Sequence, residues 1–226
     1  MSTLTTPERI LSALRHKSLG VEIVEILQRE IIGGRFRPGQ RLVERELIRH
    51  FGVSSIPIRE ALQELQNRGL AVKRHNCGCS VIHLTRVEAA RICELRRVLE
   101  PQVVEWAAAR ITSDAGERLR LQFKELRAAA EARDLPRFFQ EDLTFHRMIW
   151  EIADNIYATR ALETVMGSLF ASGIMGSGNG AAETIDLRVE VEKHGRLLDA
   201  LCDRDEQRAA LSLLEIAAGF EKHLCP

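Results

Sequence analysis

No stretch of this chain approaches the roughly 20 uninterrupted apolar residues that a bilayer-spanning helix needs. Residues Met1 to Leu19 also lack an apolar core followed by a small-residue cleavage site, because Glu8, Arg9, Arg15 and Lys17 interrupt the short apolar pieces. A cytoplasmic location without a membrane partner is therefore expected. The five cysteines, Cys77, Cys79, Cys93, Cys202 and Cys225, are odd in number and form no CxxC pair, so zinc-ribbon and dithiol patterns are missing and the thiols read as reduced. Cys77-Gly78-Cys79, the one close pair, fits a tight loop better than a ligand set. Signatures of catalysis are missing as well: there is no Gly-x-Ser-x-Gly elbow, no Walker-type glycine loop and no Glu-x-x-His pair. An enzyme is not expected.

The formal net charge is +0, but its distribution is uneven. Residues 1 to 84 carry 13 Lys+Arg against 8 Asp+Glu, a net of +5, whereas residues 85 to 226 carry 19 against 24, a net of −5. A basic first third suits a polyanionic partner and salt-dependent binding. The 226 residues are also enough for two domains of ordinary size.

Periodicity divides the chain at the same place. Leu19 to Ile32 has apolar residues at helical spacing (Val21, Val24, Ile26, Leu27, Ile31, Ile32) and stops at Gly33-Gly34. A Pro38-Gly39 turn follows, then a short helix from Val43 to His50 with Leu47 and Ile48 inward. Phe51-Gly52-Val53 breaks it. Ser54-Ser55-Ile56-Pro57 opens a third helix with hydroxyl caps and an early proline, and that helix runs to Asn67. Two β-prone pieces, Leu70 to Arg74 and Ser80 to Leu84, close the segment. This is the order of a winged helix-turn-helix, whose third helix enters a DNA major groove. From Thr85 onward every segment has helical period, with helices expected near 86–110, 114–133, 135–153, 156–174, 182–203 and 205–224 and a mobile glycine-rich loop over Gly173 to Gly180. The fold class is thus mainly α, with a winged helix-turn-helix over 1–84 and an all-α helical bundle over 85–226.

Polar residues sit inside several apolar stripes of the second half. Between 135 and 153 the inward set is Leu135, Phe138, Phe139, Asp142, Phe145, His146, Ile149 and Ala153, which places Asp142 and His146 one turn apart on the buried face. An unpaired buried carboxylate is costly, so the two either hydrogen-bond each other or share a divalent metal. His194 stands in the stripe Leu187, Val191, Leu198, Leu201, and Arg96 in the stripe Ile92, Leu99, Val103, Trp106. Four polar side chains from three helices can therefore meet in one interior cavity, where Arg96 is suited to a small anionic effector.

Gly34-Arg35-Phe36-Arg37-Pro38-Gly39-Gln40-Arg41-Leu42, Glu44-Arg45-Glu46-Leu47, Phe51-Gly52-Val53-Ser54, Pro57-Ile58-Arg59-Glu60-Ala61-Leu62 and Gly69-Leu70 together resemble the GntR family of regulators. The helical second half, with Glu94-Leu95-Arg96-Arg97-Val98-Leu99-Glu100, resembles the effector-binding FCD domain of the FadR-like subfamily. The resemblance implies a DNA-binding repressor, a homodimer on a palindromic double-stranded operator, and a small organic acid as effector. It implies DNA contacts from Arg45, Ser54, Ser55, Arg59, Arg74, His75 and Asn76, with effector contacts from Arg96, Asp142, His146 and His194. Ser55 departs from the family pattern, which has arginine there, so a non-standard operator is expected. Metal-containing members imply Asp142, His146 and His194 as ligands, the last within Glu192-Lys193-His194. The fourth ligand position falls on Ile216, and His223 lies two turns, or about 10 Å, further on. Zinc suits this donor set first, with nickel or manganese as alternatives. Two other functions are set against the ligand-responsive repressor: a regulator for which the metal itself is the signal, and a helical metalloenzyme fused to a DNA-binding module.

Overall fold

Apolar side chains at helical spacing organise the first unit of the computed structural model, which describes residues 19–74, 78–171 and 185–224. α1 (Leu19–Ile32) buries Ile23, Val24, Leu27, Ile31 and Ile32, and it packs on α3 (Ser55–Asn67), whose inner stripe is Ile58, Ala61, Leu62 and Leu65. Val21 and Ile26 do not join that stripe. Each is 40% exposed, because at about 100° per residue they lie off the line through Ile23, Leu27 and Ile31. α2 (Glu44–Phe51) ends at Gly52, whose φ of 66° returns its N–H to the Ile48 carbonyl, a conformation that glycine adopts at no steric cost.

The wing is a three-stranded antiparallel sheet in the order β1 (Arg41–Leu42), β3 (Gly78–Val81), β2 (Ala71–Arg74). β1 escaped the sequence pattern because two residues cannot display alternation. The second hairpin strand starts at Gly78 rather than Ser80, since the register pairs Arg74 with Gly78 and leaves only residues 75–77 to connect them. Leu42 lies opposite Cys79 at the other edge. His75 and Asn76 fall outside the described residues, as does the glycine-rich stretch over Gly173 to Gly180.

Among the described residues six helices follow: α4 (Arg86–Arg110), α5 (Ser113–Glu131), α6 (Leu135–Ile152), α7 (Ile156–Leu169), α8 (Leu187–Cys202) and α9 (Glu206–Leu224). Side-chain caps fix where most of them begin. At α4 the Thr85 hydroxyl accepts from the Glu88 amide at 3.3 Å while the Glu88 carboxylate accepts from the Thr85 amide at 2.7 Å. Thr112, Asp134, Asn155 and Asp186 each accept from amides in the first turn of the next helix. α9 packs on α4 and α8, α5 on α6 and α8, and α4 on α6 and α7. Among the described residues no helix is long and apolar enough to cross a membrane.

The two units are docked through polar and backbone contacts. Gln28 of α1 accepts from Arg68 Nη1 at 3.0 Å and from Arg147 Nη2 of α6 at 3.4 Å. Gln140 of α6 donates to the Arg29 carbonyl at 3.1 Å. On α7, the Thr164 and Ser168 hydroxyls donate to the carbonyls of Asn67 and Gly69 at 2.7 and 3.0 Å. Gly69 (φ +69°) and Gly167 face each other so closely that a Cβ on either would land on backbone of the other unit, at Thr164 or at Arg68.

Candidate functional site

α6 and α8 bring Asp142, His146 and His194 together. All three are buried, and one donor atom from each lies within 4.8 Å of the others. The His194 Nδ1–H donates to the Glu190 carbonyl one turn back, at 2.7 Å, which turns Nε2 inward. Asp142 Oδ1 lies 2.6 Å from that nitrogen, an ion pair when the ring is protonated. The same carboxylate oxygen is 3.8 Å from His146 Nε2, and His146 Nδ1 is buried without a hydrogen-bond partner. Neighbouring rings hold the imidazoles, with Phe145 edge-on to His194 at 5.5 Å and Trp150 tilted against His146 at 6.3 Å.

The charges in this cluster are set by burial working against proximity. Burial pushes the Asp142 carboxyl up, but His194 and His146 beside it outweigh that and hold it below the ordinary carboxylate range. Burial pushes His194 down, and Asp142 together with the Glu190 carbonyl more than reverses this, so its pKa is raised. His146, further from the carboxylate, is pushed down by burial to about 4 and stays neutral. A lone pair 2.6 Å from a carboxylate oxygen is repelled unless a cation stands between them. Either a proton or a metal ion can fill that role.

The donor set therefore fits a divalent metal: two imidazoles, one carboxylate and orphaned buried nitrogens. Ile216, where the family resemblance implies a fourth ligand, is 5% exposed and offers no lone pair. The cleft of about 1300 Å³ lined by Phe123, Arg127, Val191 and Arg196 shares no lining residue with this cluster.

Arg96 does not stand free beside the cluster. Its Nη2 lies 3.1 Å from Glu100 Oε2 and its Nε donates to the same oxygen at 3.2 Å, both residues being buried. Sequence reasoning placed Arg96 in the core but missed Glu100, although the i, i+4 spacing of opposite charges was the available signal. Removing one member leaves the other's charge less compensated in a low-dielectric core. Glu100→Ala is expected to lower unfolding free energy by about 3–5 kcal/mol, whereas the double change Arg96→Met, Glu100→Leu recovers most of it; urea unfolding of the three proteins checks this.

On the first unit, Arg45, Ser54, Arg59 and Arg74 are exposed and Ser55 is half-buried. Ser54 is the N-cap of α3 but its hydroxyl makes no capping bond. Arg59 Nε donates to Glu44 Oε1 at 2.7 Å across α2 and α3, a partner the sequence alone did not single out. The pair orients the guanidinium while the Arg59 side chain stays largely exposed.

A winged helix-turn-helix with an exposed third-helix face, docked on a helical bundle, defines a DNA-binding transcriptional regulator rather than an enzyme. Residues 19–81 match the bacterial regulatory proteins of the gntR family and residues 91–218 match the FCD domain, and the chain belongs to the GntR regulators that carry an FCD domain. It is similar to the HTH-type transcriptional repressor RspR of Escherichia coli (strain K12), 30% identical over 148 residues that cover 66% of this chain and 65% of that protein; the match thus spans just under two thirds of that relative's length. It is also similar to the probable D-xylose utilization operon transcriptional repressor of Paenarthrobacter nicotinovorans, 27% identical over 207 residues, 92% of this chain and 89% of that one. The solved structure of E. coli McbR/YncC shares the fold, with a TM-score of 0.76 at 22% identity over 90% of this chain and 95% of that one.

Proposed function

We propose that the chain is a ligand-responsive repressor. As a homodimer it sets α3 from each protomer into successive major grooves of a palindromic operator, with half-sites about 34–36 Å apart, and a small organic acid bound beside Asp142, His146 and His194 changes that affinity. The observation that supports the sensing half is the buried approach of His194 Nε2 to the Asp142 carboxylate, 2.6 Å apart, in a domain docked on the DNA-binding unit. Asp142, His146 and His194 would hold a divalent metal that would supply a Lewis acid for the acid's oxygens, zinc suiting two imidazoles and nickel or manganese being alternatives. Arg45, Ser54, Ser55, Arg59 and Arg74 serve the DNA, and His75 and Asn76 extend the wing tip in sequence.

A gel shift on the chain's own promoter region, titrated with candidate carboxylates and repeated after chelation, tests the proposal. Effector-dependent release supports it, and unchanged binding with every acid that binds the helical domain overturns the sensing half. The hold of Glu100 on Arg96 favours a second reading, in which the metal itself is the signal. Under that reading chelation alone changes operator affinity and the acids do nothing further. In either case Arg59→Ala is expected to weaken operator binding by about 1–3 kcal/mol while leaving a scrambled duplex nearly unaffected, as measured by fluorescence anisotropy at one fixed salt concentration.

A further inference from the structure

Ile56 is 65% exposed at the second position of α3, the most open large apolar side chain among the described residues of the DNA-binding unit; Leu19 at 57% comes next. Its direction is fixed by helix geometry. With about 100° per residue, the buried stripe Ile58, Ala61, Leu62 and Leu65 averages close to 180° from Ile56. Ile56 therefore stands opposite the core, in the middle of an outward face shared with Arg59, Glu60, Gln63 and Asn67, all of them exposed.

Three features suit it to contact with a base. The first turn of such a helix is the part that reaches base edges. Its β-branched side chain, directly before Pro57, has few rotamers to lose on binding. Ser55, where the family resemblance leads one to expect arginine, places no long donor beside it. Among major-groove edges only one group is apolar, the C5-methyl of thymine.

We infer that Ile56 is a specificity-determining residue that packs against the C5-methyl group of a thymine in each operator half-site. This rests on the reading of α3 as the base-reading helix. A single exposed isoleucine elsewhere on the surface would carry no such meaning; here it occupies the centre of the face that α3 leaves uncovered among the described residues.

Selection from random-sequence duplexes with the full-length protein and with Ile56→Ala tests the inference. The exposed position keeps the variant folded, and unchanged affinity for unselected duplex confirms it. The wild type is expected to enrich a T·A pair at one position per half-site where Ile56→Ala shows no preference, and Ile56→Val is expected to retain it. Replacing that thymine by deoxyuridine, which removes only the methyl group, then weakens wild-type binding about fourfold and leaves Ile56→Ala unchanged. A motif shared by wild type and Ile56→Ala, or an equal uracil effect on both, overturns the role of Ile56. Failure of the wild type to enrich any motif overturns the DNA-reading proposal beneath it.

Discussion

Adding zinc to metal-free protein at a hundredfold excess over its dissociation constant is expected to raise the thermal midpoint by about 5–11 °C, and Asp142→Ala is expected to erase the effect. The magnitude follows from two general quantities. Saturation to that degree stabilises the native state by about 2.7 kcal/mol, and each kcal/mol moves the midpoint by about 2–4 °C for a chain of this length. A second measurement distinguishes this site from adventitious surface binding. The Asp142 carboxylate raises the pKa of His194 beside it, so a metal that takes Nε2 must displace the proton the ring holds below that pKa. Apparent affinity should therefore rise about tenfold per pH unit while His194 is protonated and level off above its raised pKa.

The metal-free stability should run the opposite way. His194 has a folded pKa above its unfolded value, so its contribution is complete at pH below the unfolded value and is lost as pH rises through the folded one. His146 behaves otherwise. Its folded pKa of about 4 lies below the ordinary 6.5, so the neutral buried ring begins to cost stability as pH falls below about 6.5, and the loss stops growing near pH 4. Asp142 adds a loss at the acid end, since its lowered pKa means that its contribution disappears as pH falls through the folded value. Calorimetry across pH, with and without zinc, reads all three. A midpoint indifferent to zinc, nickel and manganese at every pH would show that the cluster is only a proton-bridged core network.

The parts of this site that were legible in the sequence are those that follow from helical period. Asp142 and His146, four residues apart among Phe138, Phe139, Phe145 and Ile149, had to face inward, and the structure buries them. The same rule placed His194 between Val191 and Leu198. What the period could not supply was contact between helices far apart in sequence. The approach of Asp142 to His194 depends on how α6 and α8 cross, and the orientation of His194 depends on a backbone carbonyl that one-letter patterns do not register. Glu44 as the partner of Arg59 is hidden for a similar reason, fifteen residues away across a turn. Glu100 was legible but overshadowed by the apparent availability of Arg96. The wing shows a different limit, since a two-residue strand such as β1 is specified by pairing with β3 and not by its own composition.

Gly167→Ala is expected to leave the operator readable while abolishing its response to ligand. The methyl group would land on the Arg68 carbonyl oxygen, which is main chain, and α7 gives it no free direction in which to move. Relief requires the loop after α3 to lift from the bundle. That loop lies at the contact between the two units: Arg68 shares Gln28 with Arg147, and Arg147 adjoins His146 on α6. The inner face of α6 thus carries Asp142 and His146 while its outer face carries Gln140 and Arg147, which hold α1. A ligand that shifts α6 can bias the DNA-binding unit through these contacts, beside those that α7 makes with Asn67 and Gly69, and coupling of this kind is typically worth 5- to 150-fold in affinity. In Gly167→Ala the ratio of operator affinities with and without effector should fall close to one. Ser168→Ala, which removes only the hydroxyl donated to the Gly69 carbonyl, should reduce it in part. Limited proteolysis between Ile82 and Thr85 reports the undocking directly: faster cleavage together with a normal ligand response would show that the signal travels by another route.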